Sequence, residues 1–271
     1  MTVDPGGGDV STGKPVALIT GASSGIGAEF ARALAARGND LVVVARDERR
    51  LEELAATLEK EHQIDVEVLL ADLTDAKGTA VVEARLESVD PPIDLLVNNA
   101  GFGTFGRFAE LPRDGEGREI ALNVVALMRL CHAALPGMVQ RRRGGIINVS
   151  SLAGYQPTPL NATYGGTKAF VTSFSHALHE EVRGTGVIVM VLCPGFTRTE
   201  FQERAGLDSS AVPGFMWQSA AAVVAAALRA YDNGRAVCIP GPLNQAGAVF
   251  SSALPAGITR RLAGAIVGRV Q

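Results

Sequence analysis

The sequence predicts an α/β protein, a single doubly wound domain in which helices cover both faces of a seven-stranded, mainly parallel sheet. Short apolar runs alternate along the chain with longer segments of helical periodicity, as expected of repeated strand–helix–strand units. Two of these runs, 41–44 and 187–192, are apolar at every position, which is typical of strands buried on both faces. With 47% hydrophobic residues and 31 glycines among 271 residues, the composition suits one compact, tightly turned domain.

The individual elements follow from the same patterns. Strands are predicted at residues 16–20, 41–45, 67–71, 95–98, 145–150, 187–192 and 236–239. Helices are predicted at residues 25–37, 48–60, 79–88, 116–141, 161–183 and 219–232. Right-handed crossovers should place these helices on the two faces of the sheet and bring the carboxyl ends of the strands to one edge.

The two ends of the chain differ from its centre. The Gly-rich stretch 4–9 indicates that residues 1–14 form a flexible tail, and the domain is predicted to span residues 15–241 with its binding site integrated in it. Residues 242–271 are a C-terminal extension, which we expect to be a lid, a subunit interface or a surface helix.

Charge and cysteine content exclude several classes of protein. The formal net charge of −3 leaves no basic surface of the kind that binds nucleic acid. Segment 236–259 has no formal charge but contains three prolines, so we expect no integral membrane segment there. Cys131, Cys193 and Cys238 lie in apolar runs, which indicates reduced thiols and a cytoplasmic protein. No histidine and cysteine spacing matches a metal site, so no metal is expected.

A glycine-rich turn follows the first predicted strand. Residues 21–27 read Gly-Ala-Ser-Ser-Gly-Ile-Gly and lead into a helix. Glycines let the backbone turn tightly and approach an anion at the helix N-terminus, where free N–H groups and the helix dipole favour negative charge. Residues 21–25 also fit the G-x-S-x-G turn of serine hydrolases. That alternative requires a histidine near the end of the chain, and none follows His179.

Ser151, Tyr164 and Lys168 are the strongest chemical signal. Tyr164 and Lys168 stand one helical turn apart, and Ser151 follows the fifth predicted strand. A hydroxyl, a phenol and an ammonium can thus surround one carbonyl, with Tyr164 exchanging the proton and Ser151 stabilising developing charge. An ammonium about 4 Å from a phenolate contributes on the order of 4 kcal/mol at an effective dielectric near 20. We therefore expect Lys168 to lower the pKa of Tyr164 from about 10 toward 7.

Three further motifs accompany these two in the same order as in a known family. They are Asn98-Asn-Ala-Gly101 after the fourth predicted strand, Asn123 in the fourth helix, and Pro194-Gly195 after the sixth strand. Over about residues 16–241 the chain resembles the short-chain dehydrogenases/reductases. The resemblance implies a Rossmann fold and hydride transfer between a nicotinamide cofactor and a carbonyl or secondary alcohol, with Tyr164 as the acid/base.

The resemblance also assigns roles to positions in this chain. It implies that Ser151, Tyr164, Lys168 and Asn123 are catalytic, the asparagine linking a water molecule to the lysine; a hydrogen-bonded core amide is the alternative for Asn123. It implies cofactor contacts from Gly21, Ser23, Ser24, Gly25, Ile26, Gly27, Arg46, Asp72, Leu73, Asn99, Ala100, Gly101, Tyr164, Lys168, Pro194, Gly195, Thr197 and Thr199. For Asp72 the alternative is the N-terminal cap of the next helix.

Arg46 bears on the choice of cofactor. An acidic residue at the end of the second strand would accept a hydrogen bond from the ribose of NAD, whereas arginine suits the 2′-phosphate of NADP. By resemblance, Ala45 occupies the acidic position and Arg46 the phosphate-pairing one. We predict NADP(H) as the preferred cofactor. NAD(H), served by Asp47, is the alternative, with Arg46 then a solvated charge that caps the second helix.

Apolar residues after Gly101 and in segment 196–217 favour a hydrophobic ketone, aldehyde or secondary alcohol as substrate, although ordinary loop packing is the alternative. They are Phe102, Phe105, Phe196, Phe201, Leu207, Val212, Phe215, Met216 and Trp217. The resemblance implies a homodimer or homotetramer built through helices 116–141 and 161–183. The alternative function is a non-catalytic NAD(P)-binding sensor on the same fold, which would not need the Ser–Tyr–Lys set.

Overall fold

The structure is a computed structural model that describes residues 13–205, 212–254, 257 and 259–260. The predicted tail falls outside these residues apart from its last two positions. There, the ammonium of Lys14 lies 3.8 Å from a carboxylate oxygen of Asp40. Leu207 and most of segment 255–271 are also outside the described residues.

Strands and helices alternate along the chain as predicted. The strands are β1 (Val16–Thr20), β2 (Asp40–Ala45), β3 (Val66–Leu70), β4 (Leu95–Asn98), β5 (Gly144–Val149), β6 (Val187–Leu192), β7 (Thr197–Arg198), β8 (Gln218–Ser219) and β9 (Val237–Cys238). The helices are α1 (Gly25–Ala35), α2 (Glu48–His62), α3 (Ala76–Glu87), α4 (Arg113–Ile120), α5 (Leu127–Arg141), α6 (Ala162–Glu181), α7 (Phe201–Arg204), α8 (Ala220–Asp232) and α9 (Pro242–Ala253).

Within the described residues, seven strands form one parallel sheet in the order β3-β2-β1-β4-β5-β6-β9. The predicted fold class, a Rossmann-like doubly wound sheet, is confirmed. The strand order reverses between β1 and β4, which are hydrogen-bonded neighbours in the sheet. Ligands of such sheets bind beyond the carboxyl ends of the strands at this reversal, so Thr20 and Asn98 mark where a site should lie.

Helices bury both faces of the sheet. On one face, Leu18 and Val42 belong to a hydrophobic cluster with Leu130 of α5 and Val171 of α6. On the other face, Ile19 and Val43 belong to a cluster that includes residues of α1, α2 and α8. Burial on both faces explains why these strands are apolar at every position. Cys131, Cys193 and Cys238 are buried free thiols.

Several boundaries differ from the prediction for local reasons. Helix α3 begins at Ala76 rather than at Thr79, because the Asp75 carboxylate accepts a 2.7 Å hydrogen bond from the Gly78 N–H and caps the helix. The capping alternative for Asp72 is therefore wrong. Strands β7 and β8 pair with each other and, with α7, were not predicted. Helix α9 lies in the C-terminal extension, for which a surface helix was one of the alternatives.

The predicted helix 116–141 begins at Arg113 and is interrupted by a π-helical segment, Ala121–Ala126, which contains Asn123. The whole helix, Arg113–Arg141, is long and apolar enough by composition to cross a membrane. Core helices of soluble proteins pass the same test, and Leu130, Cys131 and Met138 are buried against the sheet. The expected absence of a membrane segment stays a prediction.

Two adjacent glycines in α6 give a matched test of packing. A Cβ atom at Gly166 would meet no atom within 4 Å, whereas one at Gly165 would lie 2.0 Å from Thr158 Oγ1, which donates a hydrogen bond to the Asn161 carbonyl. We expect Gly166→Ala to raise the free energy of unfolding by about 0.5–1 kcal/mol and Gly165→Ala to lower it by about 1–3 kcal/mol. Urea denaturation measures both; equal effects of the two variants would contradict the packing described here.

Candidate active site

The end of β1 is tied to the end of β4 where the strand order reverses. Thr20 Oγ1 accepts hydrogen bonds of 3.0 Å from the N–H groups of both Asn99 and Ala100. The Asn99 amide donates in return to the carbonyls of Thr20 (2.9 Å) and Gly21 (3.3 Å). Asn99 therefore holds the glycine-rich turn against the next loop, which gives a physical reason for an asparagine at this position.

The turn is a cradle with no room for side chains. A Cβ at Gly27 would lie 2.2 Å from the Gly21 carbonyl oxygen and 2.5 Å from Asn99 Nδ2, and Gly21 itself has a φ of +67°. Ser24 occupies the N-cap position of α1 without capping the helix through its side chain. The first N–H groups of α1 and the hydroxyls of Ser23 and Ser24 can thus be directed to a diphosphate. The cradle fits the pyrophosphate of a dinucleotide.

Arg46 lies at the rim of this cradle, at the end of β2. Its guanidinium is largely exposed and lies 3.6 Å from a carboxylate oxygen of Asp72. Burial disfavours the charge on Asp72, but the hydrogen bonds from Thr74 and the Arg46 charge outweigh it and lower the pKa of Asp72. Asp47, not Arg46, caps α2 by accepting a 3.1 Å bond from the Arg50 N–H. Leu73 is buried in the core.

Ser151, Tyr164 and Lys168 come together beyond the end of β5. Ser151 caps a 3-10 turn, Leu152–Tyr155, by accepting from the Ala153 N–H at 3.1 Å, and it hydrogen-bonds Tyr164. Lys168 is 5% exposed, and its ammonium donates to the Val149 carbonyl at 2.9 Å. The Lys168 nitrogen lies 5.5 Å from the centre of the Tyr164 ring.

The expectation that Lys168 brings the pKa of Tyr164 toward 7 is wrong for the protein by itself. Burial raises the pKa of Tyr164 to about 12, because the phenolate would be desolvated; the Ser151 hydrogen bond opposes this and the Glu119 charge adds to it. Burial likewise lowers the pKa of Lys168 to about 8, despite the nearby Glu119. Tyr164 is therefore a protonated phenol at neutral pH, suited to give a proton.

Two neighbouring polar residues, Ser150 and Asn123, form hydrogen bonds with groups other than the Tyr164 phenol. Ser150 lies on the opposite side of the chain, and its hydroxyl is hydrogen-bonded to the Lys168 carbonyl and Thr172. The Asn123 amide donates to the Phe102 carbonyl at 2.8 Å and to Thr167 at 3.2 Å, and its oxygen accepts from the Phe102 N–H. Asn123 thus has the hydrogen bonds expected of a core amide, which was the alternative for this residue. Its role in linking a water molecule to Lys168 stays a prediction.

The segment after β6 closes the site from the other side. A Cβ at Gly195 would lie 2.6 Å from Asn244 Nδ2 of α9, and a Cβ at Gly25 would lie 3.1 Å from a Thr199 carbon. The Thr197 hydroxyl donates to the Gly195 carbonyl at 3.1 Å. Thr199 therefore borders the glycine-rich turn, and Gly195 lies against α9.

One aromatic ring packs against Tyr164, and a second aromatic pair lies in the segment after β6. The Tyr164 and Phe201 rings are 5.4 Å apart, and the Phe196 and Trp217 rings are 5.6 Å apart. Phe215, in contrast, is 74% exposed. On the other side, Ser251 of α9 donates to the Tyr155 carbonyl at 3.2 Å, so the described part of the C-terminal extension lies beside the segment that carries Ser151.

Sequence reasoning missed a buried acidic pair near Tyr164. Glu116 and Glu119 on α4 are both buried and both contact Thr104 of the loop after β4. Glu116, Glu119 and Asn123 follow the i, i+3, i+7 spacing of one helix face, but α4 is rich in charged residues, so this spacing did not distinguish the buried pair from a solvated surface.

Two other features lie outside the Ser–Tyr–Lys set. A cleft of about 450 Å³ between α1 and α2 is bordered by Ser23, Ser24 and Gly25 and by the Arg50–Glu200 ion pair, whose closest atoms are 2.8 Å apart. It reaches the phosphate cradle but not Tyr164. Among the described residues, no cluster of histidine, cysteine and acidic side chains could hold a metal ion.

Comparison with known proteins identifies the family. The family model described as short chain dehydrogenase matches residues 15–209. A very-long-chain 3-oxoacyl-CoA reductase from Laccaria bicolor is 41% identical over 177 residues, 64% of this chain and 52% of that protein. Hydroxysteroid dehydrogenase-like protein 1 from Gallus gallus is 36% identical over 66% of this chain and 54% of its own. The chain spans about half the length of these curated relatives.

Solved structures match nearly the whole chain. A short-chain dehydrogenase from Sphingobium yanoikuyae in complex with NADPH has a TM-score of 0.81 at 41% identity, over 89% of this chain and 96% of that one. The bulky-bulky ketone specific alcohol dehydrogenase from Comamonas testosteroni has a TM-score of 0.77 at 36% identity, over 90% and 96% of the two chains.

Proposed function

Because this chain belongs to the short-chain dehydrogenase family and is an oxidoreductase, we propose that it uses NADPH to reduce the carbonyl of a bulky, hydrophobic ketone. The observation that carries the proposal is the arrangement of Ser151, the Tyr164 phenol and the buried Lys168 ammonium around one point beyond the end of β5. A phenol that is protonated at neutral pH can serve as the general acid in ketone reduction.

The roles of the residues follow from their positions. Ser151 donates a hydrogen bond to the substrate oxygen, and Tyr164 transfers its proton to that oxygen as negative charge develops. Lys168, held by the Val149 carbonyl, keeps a positive charge near the phenol and would hydrogen-bond the ribose of a bound cofactor. Bound NADPH would supply the hydride, with its pyrophosphate on residues 21–27. In the reverse direction, the positive charge of an oxidised nicotinamide would help Tyr164 to act as a base.

Arg46 and the NADPH complex of a relative support NADP(H) as the preferred cofactor, although another structural neighbour, from Burkholderia phymatum, is in complex with NAD. Arg46 is exposed at the rim and paired only loosely, at 3.6 Å, with Asp72. A bound 2′-phosphate could therefore recruit its guanidinium at little cost.

Replacement of Arg46 tests the cofactor preference. We expect Arg46→Ser to lower kcat/KM for NADPH by roughly 10- to 100-fold, the value of a charge-assisted hydrogen bond, with little change for NADH. The matched control is Arg49→Ser, because Arg49 is equally exposed but pairs with Glu53. Steady-state kinetics with both cofactors measure the effect; equal losses in the two variants would contradict the role of Arg46.

The surroundings of the phenol support a bulky apolar substrate. Phe201 packs against the Tyr164 ring, and Phe196 packs against Trp217 in the segment that follows β6. The names of the ketone-specific and 3-oxoacyl-CoA relatives point to the same substrate class. The test is NADPH oxidation with a series of ketones of increasing size. Turnover confined to small, charged sugars would overturn the substrate class, and no turnover with any carbonyl would overturn the direction.

The oligomeric state and the cellular location are also proposals. Apolar side chains at Met128 and Val139 of α5 and Phe170 of α6 are exposed, which supports a homodimer or homotetramer formed through these helices. Light scattering after size-exclusion chromatography would test it, a monomer being the contrary result. The three free thiols support a reducing, cytoplasmic environment.

A further inference from the structure

Thr104 lies between the two buried carboxyl groups of α4. Its hydroxyl oxygen is 2.6 Å from Glu116 Oε1 and 2.9 Å from Glu119 Oε2. Its N–H also donates to Glu119 Oε2, at 3.0 Å. Both glutamates are buried: Glu119 has no exposed surface, and Glu116 is 7% exposed.

The number of protons decides the charge of this group. A threonine hydroxyl has one proton and can donate it to one carboxylate only. If both carboxyls were ionised, one of the two contacts would bring two acceptors together in a buried site, which is strongly unfavourable. Both contacts become hydrogen bonds when one carboxyl is protonated and donates to the threonine oxygen, while the threonine donates to the other. The arrangement therefore contains one extra proton.

The surroundings place that proton on Glu119. Glu116 Oε2 accepts a second hydrogen bond, from Thr163 Oγ1, so donors support its negative charge. Glu119 Oε1 is buried without a hydrogen-bond partner among the described residues. A neutral carboxyl tolerates an unpaired oxygen far better than an anion does. In agreement, burial raises the pKa of Glu119 to about 7, although Thr104 and Lys168 oppose the rise.

This group is connected to the reacting side chains through the loop after β4. A Cβ at Gly101 would lie 3.5 Å from the Lys168 nitrogen, and one at Gly103 would lie 2.9 Å from a Tyr164 ring carbon. Thr104 lies in this loop, and Asn161, just before α6, donates to its carbonyl. Among the described residues, the titratable groups that influence Glu119 are Glu116, on the same helix, and Tyr164 and Lys168 on α6.

We propose that Glu116 and Glu119 share a single proton across the Thr104 hydroxyl, and that they are positioning residues for Tyr164 and Lys168. The shared proton keeps Glu119 neutral and fixes the 101–104 loop against both reacting side chains. Loss of the shared proton places a negative charge on Glu119, near Tyr164 and Lys168. The effect on catalysis rests on the proposed function, whereas the shared proton itself does not.

The direct test is the ionisation of the glutamates, measured by NMR on protein labelled with ¹³C at the Glu carboxyl carbons. In the wild type, one carboxyl is expected to titrate near pH 7. Glu119→Gln, which mimics the neutral carboxyl, should abolish that titration and remain folded. Glu116→Gln removes the neighbouring charge and should shift the titration to lower pH by about one unit.

A conservative pair separates the shared proton from general packing. Thr104→Ser keeps the hydroxyl and should titrate as the wild type does, whereas Thr104→Val removes it and should shift the titration to higher pH. The same inflection should appear in the pH profile of kcat/KM and be missing in Glu119→Gln. The proposal would be overturned if the Glu119→Gln variant still showed a carboxyl titration near pH 7. It would also be overturned if the Thr104→Ser and Thr104→Val variants titrated identically. Absence of all turnover would overturn the proposed function but leave the NMR result decisive.

Discussion

Replacement of Tyr164 by phenylalanine is expected to lower kcat for ketone reduction by about 10²–10⁴-fold, the contribution typical of a positioned general acid. The phenol, beside Ser151, is the proposed proton donor, and burial raises its pKa to about 12, so that the proton is present throughout the neutral range. Phenylalanine keeps the ring, and with it the contact with Phe201 at 5.4 Å between ring centres. Steady-state and single-turnover kinetics with NADPH measure the loss.

A matched control shows that the effect is chemical. Tyr231 on α8 is also a partly buried tyrosine whose pKa burial raises to about 12, but its hydroxyl lies against Gly145 at the other end of the sheet. Tyr231→Phe should keep kcat within about twofold, since it touches no reacting atom, and both variants should bind NADPH as the wild type does. Turnover by the Tyr164→Phe variant at the wild-type rate would disprove the assignment of Tyr164.

Replacement of Gly27 by alanine is expected to weaken NADPH binding by about 100-fold or more, the scale on which an error of 1 Å in positioning acts. The added methyl group would lie 2.2 Å from the Gly21 carbonyl oxygen and 2.5 Å from Asn99 Nδ2. The turn must therefore move, and the hydrogen bonds of Asn99 to Thr20 and Gly21 must break. Overpacking of this kind also costs about 1–3 kcal/mol of stability.

Fluorescence titration with NADPH and urea denaturation measure the two effects of Gly27→Ala separately. Gly166→Ala is the control, because it adds the same methyl group to a helix where no atom lies within 4 Å. Binding of NADPH by the Gly27→Ala variant with wild-type affinity would show that the pyrophosphate does not lie in this turn.

The strands and long helices could be predicted because their signals are local. Residues 41–44 and 187–192 are apolar throughout, and the structure places them in β2 and β6, buried on both faces. Shorter elements carry no such signal: β7 and β8 have two residues each and exist because they pair with each other across the loop after β6. Helix α9 lies in an uncharged segment that contains prolines, and such a composition does not distinguish a helix from other structures.

At the candidate site, too, local sequence signals identify some features and long-range contacts decide the others. By itself, the sequence determined the candidate residues, since Tyr164 and Lys168 are one helical turn apart and residues 21–27 form a glycine-rich turn after a strand. Only the tertiary structure decided how these groups behave. Burial raises the pKa of Tyr164 rather than lowering it, Asn123 is held by Phe102 and Thr167, and Glu119 meets Thr104 from a distant segment. The physical reason is that charge and hydrogen bonding in a buried site depend on desolvation and on contacts between residues far apart in the chain, which spacing along the sequence does not encode.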